Sequence, residues 1–220
     1  PMQFDKKMLL LKKTVNNLKL SKYIKKIILL LGPHVNKEQF NDLNIDQLII
    51  RPKHLTSPIL GQWPSISYAL SYEKNTKQKS YLILQENYPY RSHEQIDNLI
   101  EFYLKSSSRV VMYGQKIRNT IFESKNNKLK PVGLPFVPKN LAKNIYISAL
   151  KGFAMVAESE FITKEVSIHE DFDLLDLEDQ FSMIQINSQK DFNSFRKNFK
   201  KDFNQINNQI FQSKFLKDAV

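Results

Sequence analysis

The chain of 220 residues contains no cysteine. That excludes disulfides, thiol nucleophiles and cysteine-based metal sites, and it suits a reducing compartment. Glycine is almost as scarce. Gly32, Gly61, Gly114, Gly133 and Gly152 are the only five, and no two lie close enough to form a glycine-rich phosphate loop. The four histidines, His34, His54, His93 and His169, make no i, i+4 pair and no metal spacing, so each reads as a surface or loop residue. No apolar run approaches the roughly 18 residues that a membrane span needs. The first residues lack the basic, apolar, small order of a signal peptide, which makes a cytoplasmic location the expectation. Zinc-finger spacing and RNP-type aromatic motifs are missing too, so nothing points to base readout or to DNA.

What is present is positive charge. Thirty-three Lys and Arg against 22 Asp and Glu give a net charge of +11. This favours anionic partners such as nucleotides, nucleic acid or an anionic surface. Compositional bias toward Lys, Asn and Ile accounts for the same excess equally well. A hydrophobic content of 41% with 15 Phe and 9 Tyr identifies a globular chain, and the length suits one α/β domain with an appendage.

The most informative stretch runs from Tyr81 to Leu104. Tyr81 to Leu84 is a short apolar run of the kind buried on both faces of a sheet. Pro89 removes a backbone donor and holds Tyr88 extended, so the strand ends near Gln85. Ser92 with Gln95 three residues on forms a capping box, and Ile96, Leu99, Ile100, Tyr103 and Leu104 follow at helical spacing. In open α/β sheets ligands sit at the carboxyl ends of strands, where this unit carries Gln85 and Arg91.

The remaining elements alternate in the same manner. A helix is predicted over Lys6 to Leu20, a strand over Lys25 to Leu31 closed by Gly32-Pro33, and a short helix over Asn36 to Asn44. A strand at Gln47 to Ile50, a helix at Ser65 to Tyr72 and a strand at Arg109 to Tyr113 follow, with Asn126-Asn127 as a hairpin turn. Phe192, Phe195, Phe199, Phe203, Ile206 and Ile210 then repeat at a spacing of 3-4-4-3-4 among Lys and Arg residues. They define an amphipathic helix with a basic face. This gives a division into an α/β domain over 1–187 and a basic C-terminal helix over 188–220.

The strand–loop–helix "LILQENYPYRSHEQIDNLIEFY" resembles that of the acylneuraminate (CMP-sialic acid type) cytidylyltransferases, whose pattern is L-L-Q-P-T-S-P-L-R-[ST]-x-x-x-I. Gln85, Pro89, Arg91, Ser92 and Ile96 match, whereas Glu86-Asn87-Tyr88 stands where the family has Pro-Thr-Ser. Arg51-Pro52-Lys53-His54-Leu55 resembles the family's R-P-x-x-L-A-x-D, with Thr56 for Ala and Pro58 for Asp. Ser21-x-x-Ile24 and the strand after it resemble another family segment, and Gly152 falls on the glycine of a Y-x-x-N-G segment. Asp173 to Phe181 resembles I-D-I-D-T-x-x-D-F, whose acidic residues hold a magnesium ion. The resemblance covers roughly Lys6 to Phe181.

The resemblance implies a three-layer, Rossmann-like α/β fold of the nucleotide-diphospho-sugar-transferase type, with a mostly parallel sheet. It also implies transfer of CMP from CTP to a sialic-acid-like nonulosonic acid. Gln85, Arg91 and Arg51 would line the nucleotide or sugar pocket, and Asp176, with Asp173, would hold Mg²⁺. The polar stretch from Asn119 to Val137 would be an arm reaching across a homodimer partner. No general base is identified.

The family's phosphate-cradling A-R-x-G-S-K loop is not in the chain. The expectation is therefore an N-terminally truncated or degenerate member, with the reaction weak or absent. Two alternatives stand beside it: a non-catalytic homologue acting as a binding or dimerisation module, and a basic protein that meets RNA or a membrane surface through its last helix. Tyr88, in place of a serine, reads as a packing residue that fills the inherited pocket.

Overall fold

A computed structural model describes residues 4–57, 61–73, 80–117, 121–125, 128–132, 146–163 and 172–198. Helix α1 spans Phe4–Leu20 and leads to strand β1, Ile28–Leu31, which pairs in parallel with β2, Gln47–Ile50. Between them Lys37–Leu43 forms a 3-10 turn. Asn36 caps its start through a bond from the Glu38 amide, and Asn44 ends it in the left-handed region at φ 48°. Asparagine tolerates that conformation because its short side chain bonds locally. Helix α2, Trp63–Leu70, carries Pro64 in its first turn, where a missing amide costs nothing.

Strand β3, Ser80–Ile83, opens the main sheet. Helix α3, His93–Lys105, starts at the expected capping box. The Ser92 hydroxyl accepts from the Gln95 amide at 3.3 Å, and Gln95 Oε1 accepts from the Ser92 amide at 2.9 Å. Strands β4 (Val110–Ile117), β7 (Tyr146–Ala149), β8 (Met155–Glu158) and β9 (Phe172–Asp176) complete the sheet, and α4 (Ser159–Thr163) follows β8. Strand β8 lies between β3 and β4 and is antiparallel to both, while β9 runs parallel to β4 on its far side. β3, β4 and β9 therefore share one direction, and their carboxyl ends lie along one edge.

Strand alternation sorts the core into two layers. Val111, Tyr113, Val156, Leu82 and Leu175 face α3 and pack with Leu99. Val110, Met112, Met155, Ala157, Tyr81, Ile83 and Leu174 face α2 and α4, and pack with Trp63, Phe161 and Ile162. Helix α1 contacts α3 on the first side. The result is a three-layer α/β fold. Burial of strand residues on both faces is why Tyr81 to Leu84 reads as an unbroken apolar run.

β5 (Ile121–Lys125) and β6 (Lys128–Val132) form an antiparallel hairpin. The predicted turn, Asn126-Asn127, lies outside the described residues. Helix α5, Gln189–Asn198, begins the predicted C-terminal helix, and Phe192 anchors it to Leu10 and Ile186 in a small third cluster. The rest of the periodic pattern, from Phe199 onward, lies outside the described residues. No helix among those described is long and apolar enough to cross a membrane.

The capping box predicts a measurable cost. Ser92→Ala should destabilise the fold by about 1 kcal/mol, read as a lower urea midpoint with an unchanged slope.

Candidate functional site

Three strand exits meet at one edge. Arg51 follows β2 and is anchored by its own amide, which donates to the Leu31 carbonyl at the end of β1 at 2.9 Å. Its Nη1 donates to Ser65 Oγ at 3.3 Å, and Ser65 in turn donates to the Leu55 carbonyl at 3.0 Å. This ties the loop after β2 to the first turn of α2. Arg51 Nε is buried and has no hydrogen-bond partner among the described residues. At the start of α2, Gln62 Oε1 accepts from Gln85 Nε2 at 3.4 Å, which brings the exit of β3 against the same turn. Arg51, Gln62, Ser65 and Gln85 thus form a continuous polar rim of half-buried and buried side chains.

Gln85 is pinned on both sides of its peptide plane. Its amide donates to the Gly152 carbonyl at 2.9 Å, and its carbonyl accepts from Arg91 Nη2 at 2.8 Å. Gly152 belongs to a short excursion between β7 and β8. Tyr113 on β4 bonds to both ends of it, accepting from the Leu150 amide at 2.8 Å and donating to the Ala154 carbonyl at 3.4 Å. A Cβ on Gly152 would stand 2.4 Å from Gln85 Oε1 and 3.2 Å from the Tyr88 ring, so only glycine leaves room for the Gln85 carboxamide.

Arg91 lies behind the rim, out of reach of solvent. It is 1% exposed and has no carboxylate partner among the described residues. Its guanidinium donates to the carbonyls of Gln85 and Phe153, to that of Gly152 at 3.5 Å, and to Thr14 Oγ1 on α1 at 3.3 Å. It also lies 5.7 Å from the Phe153 ring centre. Burial lowers its pKa to about 10, which still leaves it charged at neutral pH. The expectation of direct substrate contact is corrected to a structural one. Arg91 is consumed in holding Gln85, the β7–β8 excursion and α1 together. Tyr88, 7% exposed, packs edge-on against Phe153 as a core residue, and burial raises the pKa of its hydroxyl.

The acidic pair behaves differently. Asp173 and Asp176 stand three residues apart on β9, so their side chains leave opposite faces of the strand. Asp173 accepts from Ser106 Oγ at 2.5 Å, at the end of α3. Asp176 pairs with Lys116 Nζ at 3.0 Å, in register beside Gly114 at the carboxyl edge. Two carboxylates on opposite faces do not fit one magnesium ion, which needs a near-octahedral array of oxygens around a single point. Among the described residues no group of three His, Asp or Glu side chains is placed to hold a metal ion. His34 and His54 are exposed and His93 meets Glu94 at 3.2 Å, while His169 lies outside the described residues.

No protein-family model matches the chain, and no curated protein matches it in sequence. Solved structures do match in shape. The 4-diphosphocytidyl-2C-methyl-D-erythritol synthase of Anaerococcus prevotii superposes with a TM-score of 0.61 at 14% identity, over 87% of this chain and 86% of that one. A CMP:2-keto-3-deoxy-manno-octonic acid synthetase complexed with CTP gives 0.60 at 8% identity, over 88% of each chain. The 2-C-methyl-D-erythritol 4-phosphate cytidylyltransferase of Thermus thermophilus gives 0.54 at 10% identity, over 83% of this chain and 84% of that one. The chain shares the fold of these solved structures.

Within this fold, the sequence pattern leads to Gln85 and Arg51 at the rim and to Arg91 behind it. Gln62, Ser65 and Thr14 carry no motif and emerge only from packing. Gly152 stands out in a chain so poor in glycine, but the residue it makes room for is 67 positions away in sequence.

Removing the guanidinium strands several buried carbonyls. Arg91→Met should cost about 3 kcal/mol or more. Arg91→Lys should recover only part of this, because one ammonium cannot span the same acceptors; urea unfolding of both variants measures the difference.

Proposed function

We propose that the chain is a cytidylyltransferase-like protein that binds a cytidine nucleotide at the carboxyl ends of β1, β2 and β3. In this reading, transfer of CMP from CTP to a nonulosonic acid has become weak or has been lost. The fold supports the first half, since one protein of similar shape was solved with CTP. The rim supports it too: Arg51 brings a cation to the first turn of α2 through Ser65, and Gln62 and Gln85 supply neutral donors and acceptors.

The separation of Asp173 and Asp176 carries the second half. The inherited reaction is attack of a sugar-acid hydroxyl on the α-phosphorus of CTP, with pyrophosphate leaving. An anionic acceptor meets a polyphosphate, so the transition state needs concentrated positive charge. A magnesium ion ordinarily supplies that charge. Here Asp176 already has Lys116 as its counter-charge, and Asp173 faces the other side of the sheet. No step is assigned to a metal at these residues.

The same reading includes a homodimer formed through the β5–β6 hairpin. Phe122 and Leu129 lie on one face of it, 43% and 68% exposed, with Pro131 paired to Phe122. A two-stranded ribbon is marginally stable alone in water, and a second copy would cover that face.

Titrating CTP should change the emission of Trp63, the single tryptophan, which adjoins Gln62 in the first turn of α2. Magnesium should alter that affinity by less than about threefold. Pyrophosphate release with CTP and N-acetylneuraminate should stay at the protein-free rate, and rapid magnesium-dependent release would overturn the reading. Sedimentation should give twice the chain mass, and Phe122→Asp with Leu129→Asp should give the monomer with CTP binding retained.

A further inference from the structure

We propose that Gln62 is a second recognition residue, forming with Gln85 a paired carboxamide edge that reads the uncharged part of the ligand, with Gly152 as its positioning residue. The inference rests on the nucleotide-binding reading above and adds which part of the ligand this corner of the crevice takes.

The pair is built from both sides. Gln85 has its backbone fixed by the Gly152 carbonyl and the Arg91 guanidinium, so its side chain leaves the strand exit from a defined origin. The missing Cβ of Gly152 leaves the space that the Gln85 carboxamide fills, with Gln85 Cδ only 2.9 Å from where that Cβ would stand. Gln62 then meets it at 3.4 Å, at the position that precedes a helix whose first turn Ser65 ties to Arg51.

One hydrogen bond between two carboxamides leaves most of their capacity unspent. A primary amide carries two N–H donors and a carbonyl with two lone pairs. After Gln85 Nε2 donates to Gln62 Oε1, Gln62 Nε2 retains its donors and Gln85 Oε1 retains acceptor capacity. The spare donors and acceptors of two neutral carboxamides suit an uncharged ligand edge and have no charge to offer phosphate. Such an edge comes either from a pyrimidine base or from adjacent sugar hydroxyls. Phosphate falls to the cationic part of the rim, at Arg51.

The experiment uses the full chain and two readouts. Side-chain amide resonances of Gln62 and Gln85, assigned by their loss in Gln62→Leu and Gln85→Leu, should show ordered heteronuclear NOEs in the native protein. In Gly152→Ala the Gln85 amide should become mobile. Thermal unfolding separates this local change from loss of the fold, and Gln62→Leu, at a half-buried position, supplies a variant expected to fold normally.

Trp63 fluorescence then follows binding of CTP, cytidine, N-acetylneuraminate and inorganic pyrophosphate. Gln62→Leu should weaken CTP and cytidine about tenfold if the edge reads the base, or N-acetylneuraminate about tenfold if it reads the sugar. In both cases pyrophosphate binding should be unchanged. Native protein that binds CTP with an affinity indifferent to Gln62→Leu would overturn the inference and leave the nucleotide reading standing. Equal loss of pyrophosphate would overturn it as well. Native protein that binds none of these ligands would remove the nucleotide reading and the recognition role together, and mobile amides in the native protein would remove the pairing.

Discussion

A single buried cation organises the edge of the sheet. The Arg91 guanidinium sits among carbonyl and hydroxyl oxygens with no carboxylate partner among the described residues, which is a costly place for a charge. What offsets that cost is geometry. The planar fork has five donors in fixed directions, and here it spans the exit of β3, the excursion between β7 and β8, and helix α1. Lysine has one donor centre and could not satisfy acceptors on three elements at once. The face of Phe153 beneath the guanidinium adds a weakly hydrated surface suited to a delocalised cation.

The excursion explains why such a cation is needed. β7 and β8 lie along the same side of β4 but do not run continuously, because Tyr113 bonds to both Leu150 and Ala154. The residues between them leave the ladder and must find other partners for their carbonyls. Gly152 finds the Gln85 amide, and Gly152 and Phe153 share Arg91. The same interruption carries the Phe153 side chain into the core between Tyr88 and Tyr113, whose rings stand edge-on at 5.3 Å and 5.2 Å. Tyr113 finishes the layer by donating to the Gln95 carbonyl on α3 at 2.8 Å, and burial pushes its pKa up to about 12. Backbone irregularity, aromatic packing and the polar edge of the crevice are therefore one construction.

Local signals were legible in the sequence and long-range ones were not. The capping box at Ser92 and Gln95, the strand at Gln47–Ile50 and the helical stripe from Ile96 depend on neighbours within a turn or a pleat, and the structure contains all three. Boundaries moved where a neighbouring strand decides them: β4 reaches Ile117 because β7 pairs with its second half. At the site, Gln85 could be placed at a strand exit from Pro89, and Arg51 from the strand pattern at Gln47 to Ile50 that precedes it. Arg91 could not, since surface and buried arginines look the same in a sequence. Gln62 is 23 residues from its partner and Thr14 is 77 from Arg91, separations at which a single sequence carries no pairing signal.

Strand parity sets a limit on chemistry that composition conceals. Asp173 and Asp176 look like a metal pair when read as a string of acids, yet an odd separation on an extended strand sends them to opposite layers of the fold. Asp173 becomes an acceptor for the residue that ends α3, and Asp176 an ion pair with Lys116 on the adjacent strand. Recognition of a neutral edge, as proposed, tolerates this separation, because it needs only donors and acceptors held in register. Phosphoryl transfer does not, because its transition state must be met by charge at one point. The contacts that hold Gln85, through Arg91 and Gly152, therefore involve neither aspartate.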